Sequence, residues 1–267
     1  MSRIRVACQT YTWEMLGAQW RGSVTDILDQ VAAAGYEGIE ISNAMIGEFA
    51  DRPDDFAAEL ERRDLRLAAF AYATTGFTDA ARRAEDVAGA ERAIAFVACF
   101  PEPRLGLGGA ASPVRERAAL DRAIAFYNEV GRRAVAAGVS ANVHPHSHHG
   151  SLLESADEYQ YLLDHLDPAA ISFGPDTGHI VRGGQDLLTC LRTHRARITH
   201  LHLKDANAAR EWVTLGEGVC DLRGVLAFLD ETGYDGWVVA EEESAAARID
   251  GGVAIRRNRE FLRALGW

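Results

Sequence analysis

Along the whole chain, short runs in which apolar and β-branched residues alternate or cluster give way to longer runs in which apolar residues return every three or four positions. The first kind predicts strands at 3–9, 37–42, 65–71, 104–108, 140–144, 170–175, 197–203 and 236–241. The second kind predicts helices at 23–34, 54–63, 79–98, 114–137, 155–165, 185–195, 221–232 and 252–264. Helix boundaries carry the residues that backbone chemistry requires. Gly35, Gly138 and Gly233 follow helix-period runs, where a left-handed residue closes the last turn. Ser23, Ser155 and Asp221 stand where a side-chain oxygen can accept from the first free N–H groups of a helix.

An unbroken alternation of strand and helix calls for a parallel sheet with helical crossovers. Eight repeats in 267 residues match a (β/α)8 barrel, for which about 250 residues is typical. The competing doubly wound sheet would place a Gly-rich phosphate turn after the first strand, and VACQTYTWEMLG has none. No linker, low-complexity tract or composition break divides the chain. The expectation is therefore an α/β protein, a single TIM barrel domain over residues 1–267. Such barrels build their sites from the C-terminal ends of the strands and the loops after them.

The polar residues fall where that rule asks. Of nine histidines, only His165 and His194 lie in predicted helices. His144, His146, His148, His149, His179, His200 and His202 lie at or just after the ends of strands five, six and seven. Carboxylates join them, with Glu40 ending strand two, Asp176 ending strand six, and Glu241 ending strand eight ahead of Glu242 and Glu243. Alternation along ITHLHLKD puts His200, His202 and Lys204 on one face and Leu201 and Leu203 on the other. Three polar residues facing a helix layer would be costly, so they face the barrel interior. In VHPHSHHG, His144 pairs with His146 in the same way, with Pro145 marking the passage into the loop. A mixture of imidazole and carboxylate suits one divalent ion of the Mn²⁺, Co²⁺, Zn²⁺ or Fe²⁺ kind, with Mn²⁺ placed first, rather than the all-oxygen cage of Mg²⁺ or Ca²⁺.

Composition narrows the partners. A net charge of −11 argues against a nucleic-acid backbone, which needs clustered Lys and Arg. A charged fraction of 25% and an apolar fraction of 48% are ordinary for a soluble globular protein, and no apolar run is long enough for a membrane span. The start MSRIRVACQTYTW lacks the basic and apolar regions of a secretory signal, so the expected location is the cytoplasm. Cys8, Cys99, Cys190 and Cys220 lack CxxC spacing and are read as buried packing thiols. A homo- or hetero-oligomer is compatible with the sequence.

At GYEGIEIS, HPHSHHGSLLES, PDTGHIVRGG, RITHLHLKD, LGEGVCD and GYDGWVVAEEE the chain resembles the xylose isomerase-like barrel superfamily of sugar isomerases, epimerases and dehydratases. The resemblance implies one metal held from strands five to eight. It gives Asp176 of DTGH, His202 as the second His of HLH, and Glu241 as the first Glu after WVVA. His144 stands at the strand-five place, with His146 as the alternative ligand. Keto-sugar epimerases resemble one another in carrying a Glu there that also moves a proton. The HPH, DTGH and HLKD pattern is similar instead to the inosose dehydratase branch, which eliminates water from a cyclic keto-polyol. EEESAA replaces that branch's usual sequence after the last strand, so the resemblance does not carry the substrate over.

These branches share removal of a proton α to a carbonyl, helped by a Lewis-acid metal. Reprotonation gives an isomer or epimer, whereas loss of a β-oxygen gives a lyase product. Imidazole works near neutral pH without a large pKa shift, which favours the lyase course on a keto-sugar or cyclic keto-polyol. In this reading His146 or Glu241 moves protons, Lys204 stands with them as a catalytic residue that orients substrate hydroxyls, and Glu40, His179 and His200 bind the substrate. For Lys204 the competing reading is an ion pair with Asp205. Two other functions compete with the enzyme of sugar metabolism. A metal-dependent DNA-repair endonuclease would need several ions and a basic groove, and a non-catalytic sugar-binding or partner subunit should have lost ligands that are present here.

Overall fold

The structure, a computed structural model, describes residues 4–147 and 150–267. His148 and His149, together with Arg3 of the first predicted strand, lie outside the described residues. Contacts divide the chain into two compact units, 1–68 with 200–267, and 69–199.

The first unit holds β1 (Arg5–Gln9), β2 (Gly38–Ser42), the start of β3 (Arg66–Tyr72), β7 (His200–Leu203) and β8 (Trp237–Ala240). Its parallel order is β2-β1-β8-β7. Register pairs Gln9 with Glu40, Ala7 with Val239, and Val239 with His202. Because side chains alternate along a strand, one face of this sheet carries Ala7, Gly38, Trp237 and Val239 in its middle. The same face ends in Gln9, Glu40, His202 and Glu241. Trp237 packs with Ala7, Ala68 and Val239. Gly38 is needed beside the indole, since a Cβ there would stand 2.8 Å from the ring. Arg5 lies over the same ring at 4.5 Å. Trp237→Ala is expected to cost about 3–5 kcal/mol in urea unfolding; a loss below about 1 kcal/mol would remove Trp237 from the core of this unit.

In the second unit β3 continues beside β4 (Arg104–Gly108), β5 (Ser140–His144) and β6 (Ser172–Phe173), all parallel in the order β6-β5-β4-β3. Gly106 and Gly108 pair with Asn142 and His144. Small residues on β4 thus lie beside the polar residues of β5.

Helices α1 (Val24–Ala34), α2 (Pro53–Glu61), α3 (Arg83–Val97), α4 (Arg117–Ala136), α5 (Ala156–His165), α6 (Leu187–His194), α7 (Leu222–Glu231) and α8 (Gly251–Ala264) alternate with the strands. In α1, Val24, Ile27, Leu28, Val31 and Ala34 form the buried stripe. Ser23 and Asp26 make a reciprocal capping box, and Gly35 ends the helix at φ 84°. Ser155 with Glu158 repeats the box on α5, and Asp221 caps α7. Tyr36 Oη donates to Ile255 O at 2.8 Å, tying the end of α1 to α8.

Two expected strands are shorter than their apolar runs. β6 stops at Phe173, before Gly174 and Pro175, because proline offers no N–H to a ladder. Residues 195–197 form a 3-10 turn instead of opening β7. Among the described residues, no helix is long and apolar enough to cross a membrane.

The cysteine expectation needs one correction. Cys8, Cys190 and Cys220 are buried, but Cys99 is exposed at the end of α3. Burial pushes the Cys190 thiol up to about 12, with Asp186 adding to the rise, and moves Cys8 further still. Only thiolates react readily. A thiol-disulfide reagent is therefore expected to label one cysteine fast in the native protein and four after denaturation; a second fast thiol would show that one of the buried three is accessible.

Candidate active site

In the first unit the polar ends of β2, β7 and β8 meet. His200 Nε2–H donates to Glu40 Oε2 at 2.6 Å. His202 lies between two carboxylates, with Nε2 3.1 Å from Glu40 and Nδ1 2.6 Å from Glu241 Oε2. All four side chains are buried. For Glu40, burial favours the neutral acid, but the His202 and His200 rings outweigh it and hold the carboxyl well below its ordinary range. Burial likewise opposes charge on His202, yet Glu40 and Glu241 raise it to about 10. Glu40, His200 and His202 each offer a donor atom to one possible ion, all within 4.8 Å of one another.

Lys204 continues this face one step past β7. Its Nζ donates to Glu241 Oε1 at 2.8 Å and also to Glu243. The Trp212 ring lies over the same ammonium at 4.6 Å. Asp205 is not the partner of Lys204, because its carboxylate accepts from four backbone N–H groups. The ion-pair reading of HLKD is thereby corrected.

Sequence reasoning missed the partners around this cluster. Glu243 repeats Glu241 at a spacing of two, so alternation alone could have put both on one side. Burial raises the Glu243 carboxyl, Lys204 opposing it and Glu241 adding to it. Ser42 Oγ donates to Glu14 Oε2 at 2.5 Å. Burial raises Glu14, the Ser42 hydrogen bond opposing it and Glu241 adding to it. Burial raises the Tyr11 phenol, Glu243, Glu14 and Glu241 adding to it and Lys204 opposing it. No sequence period marks Tyr11, Glu14 or Trp212.

The second unit builds its own cluster. His144 ends β5, and its Nδ1 lies 3.1 Å from Gly174 O. A carbonyl only accepts, so Nδ1 carries the proton and Nε2 keeps its lone pair, the arrangement that orients a metal-binding imidazole. Asp176 N-caps a short helix, Thr177–Arg182, that the sequence pattern did not reveal, with Oδ1 accepting from His179 N at 2.7 Å. That turn places the His179 ring beside Ser147, whose backbone N–H donates to Nδ1 at 3.0 Å. His179 is thereby held as the tautomer with its proton on Nε2. His146 is half-buried, its ring centroid 4.7 Å from that of His144 and 5.1 Å from that of His179. The three rings offer donor atoms within 4.8 Å of one another.

Each unit brings together part of the strand-end residues named from sequence. Glu40, His200, His202, Lys204 and Glu241 lie together in the first unit. His144, His146, Asp176 and His179 lie in the second. Each set mixes imidazole with carboxylate, and each holds an imidazole fixed at one nitrogen by an acceptor, which fits a borderline divalent cation.

This fold, with imidazole and carboxylate groups at the strand ends, defines a (β/α)8 barrel protein. The chain belongs to the xylose isomerase-like TIM barrel family, which matches residues 28–265. A relative named inosose dehydratase, from Geobacillus thermodenitrificans, is 32% identical over 169 residues, covering 57% of this chain and 56% of the relative. The chain therefore spans just over half the length of that relative. Among solved structures, the IOLI protein with a bound zinc atom has a TM-score of 0.83 at 14% identity, covering 98% of both chains. The E. coli 3-keto-D-glucoside 4-epimerase YcjR has a TM-score of 0.77 at 17% identity, covering 98% of this chain and 99% of its own. At such identities the two structures establish the fold.

Proposed function

We propose that the protein is a divalent-metal-dependent lyase that removes water from a keto-sugar or cyclic keto-polyol. The observation that carries this reading is His144. It stands in the strand-five place where keto-sugar epimerases carry a proton-moving Glu, and its Nδ1–H is committed to Gly174 O. An imidazole so held is a ligand and not a second carboxylate base. The inosose dehydratase relative supports the same chemistry.

His144, Asp176, His202 and Glu241 are the proposed ligands, with Mn²⁺ first among ions that include Co²⁺, Zn²⁺ and Fe²⁺. A bound divalent ion supplies Lewis-acid polarisation of a carbonyl, which favours loss of the adjacent proton. The remaining steps belong to the chain's own residues. Glu40, with His200 behind it, orients His202. Lys204 fixes Glu241 through Oε1. Glu241 or His146 takes the α proton, and His146 can return one to the departing oxygen. His179, protonated on Nε2, donates to a substrate oxygen. The reading takes residues 1–267 as one domain acting in the cytoplasm on a small soluble substrate.

One observation favours the epimerase alternative: Glu243 shares Lys204 with Glu241 and so offers a second carboxylate. Incubating metal-loaded protein in D₂O with keto-polyols and 3-keto-glycosides, followed by NMR, tests both. A dehydrated product that carries solvent deuterium on the carbon that lost its oxygen supports the lyase. Deuterium in an epimer with no water lost overturns it in favour of the alternative. No exchange on any member of the panel overturns both.

A further inference from the structure

Asp205 of HLKD and the motif LGEGVCD are left unexplained by the metal centre, and in the structure they meet. Asp205, two residues past the end of β7, is fully buried. Its Oδ1 accepts from Ala206 N at 2.9 Å and Cys220 N at 3.1 Å, and its Oδ2 accepts from Gly216 N at 2.9 Å and Gly218 N at 3.0 Å. Successive backbone N–H groups curled around an anion form a nest. The glycines make this closure possible. A Cβ on Gly218 would stand 2.2 Å from Asp205 Oδ1, and Gly216 has φ +87°. The loop after β7 is therefore gathered onto one carboxylate. Its first part folds back as an antiparallel ladder pairing Asp205 with Val213 and Ala206 with Trp212. This brings the partly exposed Trp212 ring to 4.6 Å from Lys204 Nζ, the ammonium that holds Glu241.

We propose that Asp205 is a positioning residue, and that the loop it gathers presents Trp212 as the surface on which the C–H face of a ring-shaped polyol stacks. This rests on the keto-polyol reading and narrows its substrate class to rings. An indole offers a broad, rigid apolar face. A six-membered polyol presents a matching flat patch of C–H groups with no internal rotors to freeze. A linear polyol must order several rotors to do so. Trp212 therefore discriminates cyclic from open-chain substrates.

Calorimetric titration of the metal-loaded full chain with two unreactive probes, the cyclic myo-inositol and the linear sorbitol, tests this without turnover. Trp212→Ala is expected to weaken inositol binding about tenfold and to leave sorbitol within about twofold, while Trp212→Phe keeps most of the inositol affinity. Asp205→Asn, whose amide group sets N–H against N–H, is expected to reproduce the inositol loss and to speed hydrogen exchange at Gly216, Gly218 and Cys220. Unchanged inositol affinity in Trp212→Ala, or equal loss for both probes, overturns the stacking role. Unchanged exchange in Asp205→Asn overturns the positioning role. A wild-type protein that binds neither probe overturns the proposal. One that binds inositol through Trp212 yet turns over no keto-polyol leaves it standing and sinks the lyase reading.

Discussion

His202→Ala and Asp176→Asn are each expected to abolish stoichiometric divalent-metal binding and turnover while the barrel still folds. The two changes act in different units and by different physics. His202 separates the carboxylates of Glu40 and Glu241, so its loss leaves two buried charges without their shared imidazole. Breaking such a buried pair costs about 3–5 kcal/mol, and His202→Asn, which keeps a polar group, is the milder companion. Asp176→Asn is chosen over alanine because Asp176 also caps the helix of His179. An amide oxygen keeps that cap, worth about 1 kcal/mol, and gives up only the charge. Wild-type protein should gain about 2.7 kcal/mol of stability at an ion concentration 100 times its Kd, and the variants none. Full metal occupancy in both variants would remove the proposed centre.

The chain announces its strands and helices through periods of two and 3.6, and the histidines of strands five and seven are visible because polar residues interrupt runs that should be apolar. Alternation placed His200, His202 and Lys204 on one side of β7, and all three are buried there. Hydrogen-bond partners follow no such period. Lys204 could reach Asp205 or a glutamate on the next strand, and only the folded backbone decides for Glu241 and Glu243. Asp205 reads as a charge in sequence but serves as the centre of a nest, because its four donors come from a glycine-bearing loop 11 to 15 residues further on and one adjacent N–H. The short helix after Asp176 has too few residues to show a period, although an Asp three positions before His179 is the spacing of an N-cap. Cys99 was misread for a related reason: its neighbours are apolar, but it sits on the exposed side at the end of α3.

Strand five decides the mechanism, because His144 and His146 should fail in different ways when replaced. His144 is pinned through Nδ1 by the Gly174 carbonyl, which leaves Nε2 as its donor atom. His146 is half-buried and lies in the loop between the His144 and His179 rings. A ligand anchors the ion, whereas a general acid or base contributes about 10²–10⁴-fold to rate. His144→Ala is therefore expected to weaken metal affinity, measured by competition with a chelating dye. His146→Ala is expected to keep the metal and lower kcat by about 10²–10⁴-fold. If Glu241 is the base, His146→Ala should still exchange the substrate α proton with D₂O while eliminating no water, which would identify His146 as the acid for the leaving oxygen. Loss of exchange and elimination together would make His146 the base. Metal loss in His146→Ala with retention in His144→Ala would reverse the assignment of the pair. If neither replacement changes metal or rate, the strand-five histidines are structural, and Glu241 with Glu243 becomes the proton-moving pair of an isomerase.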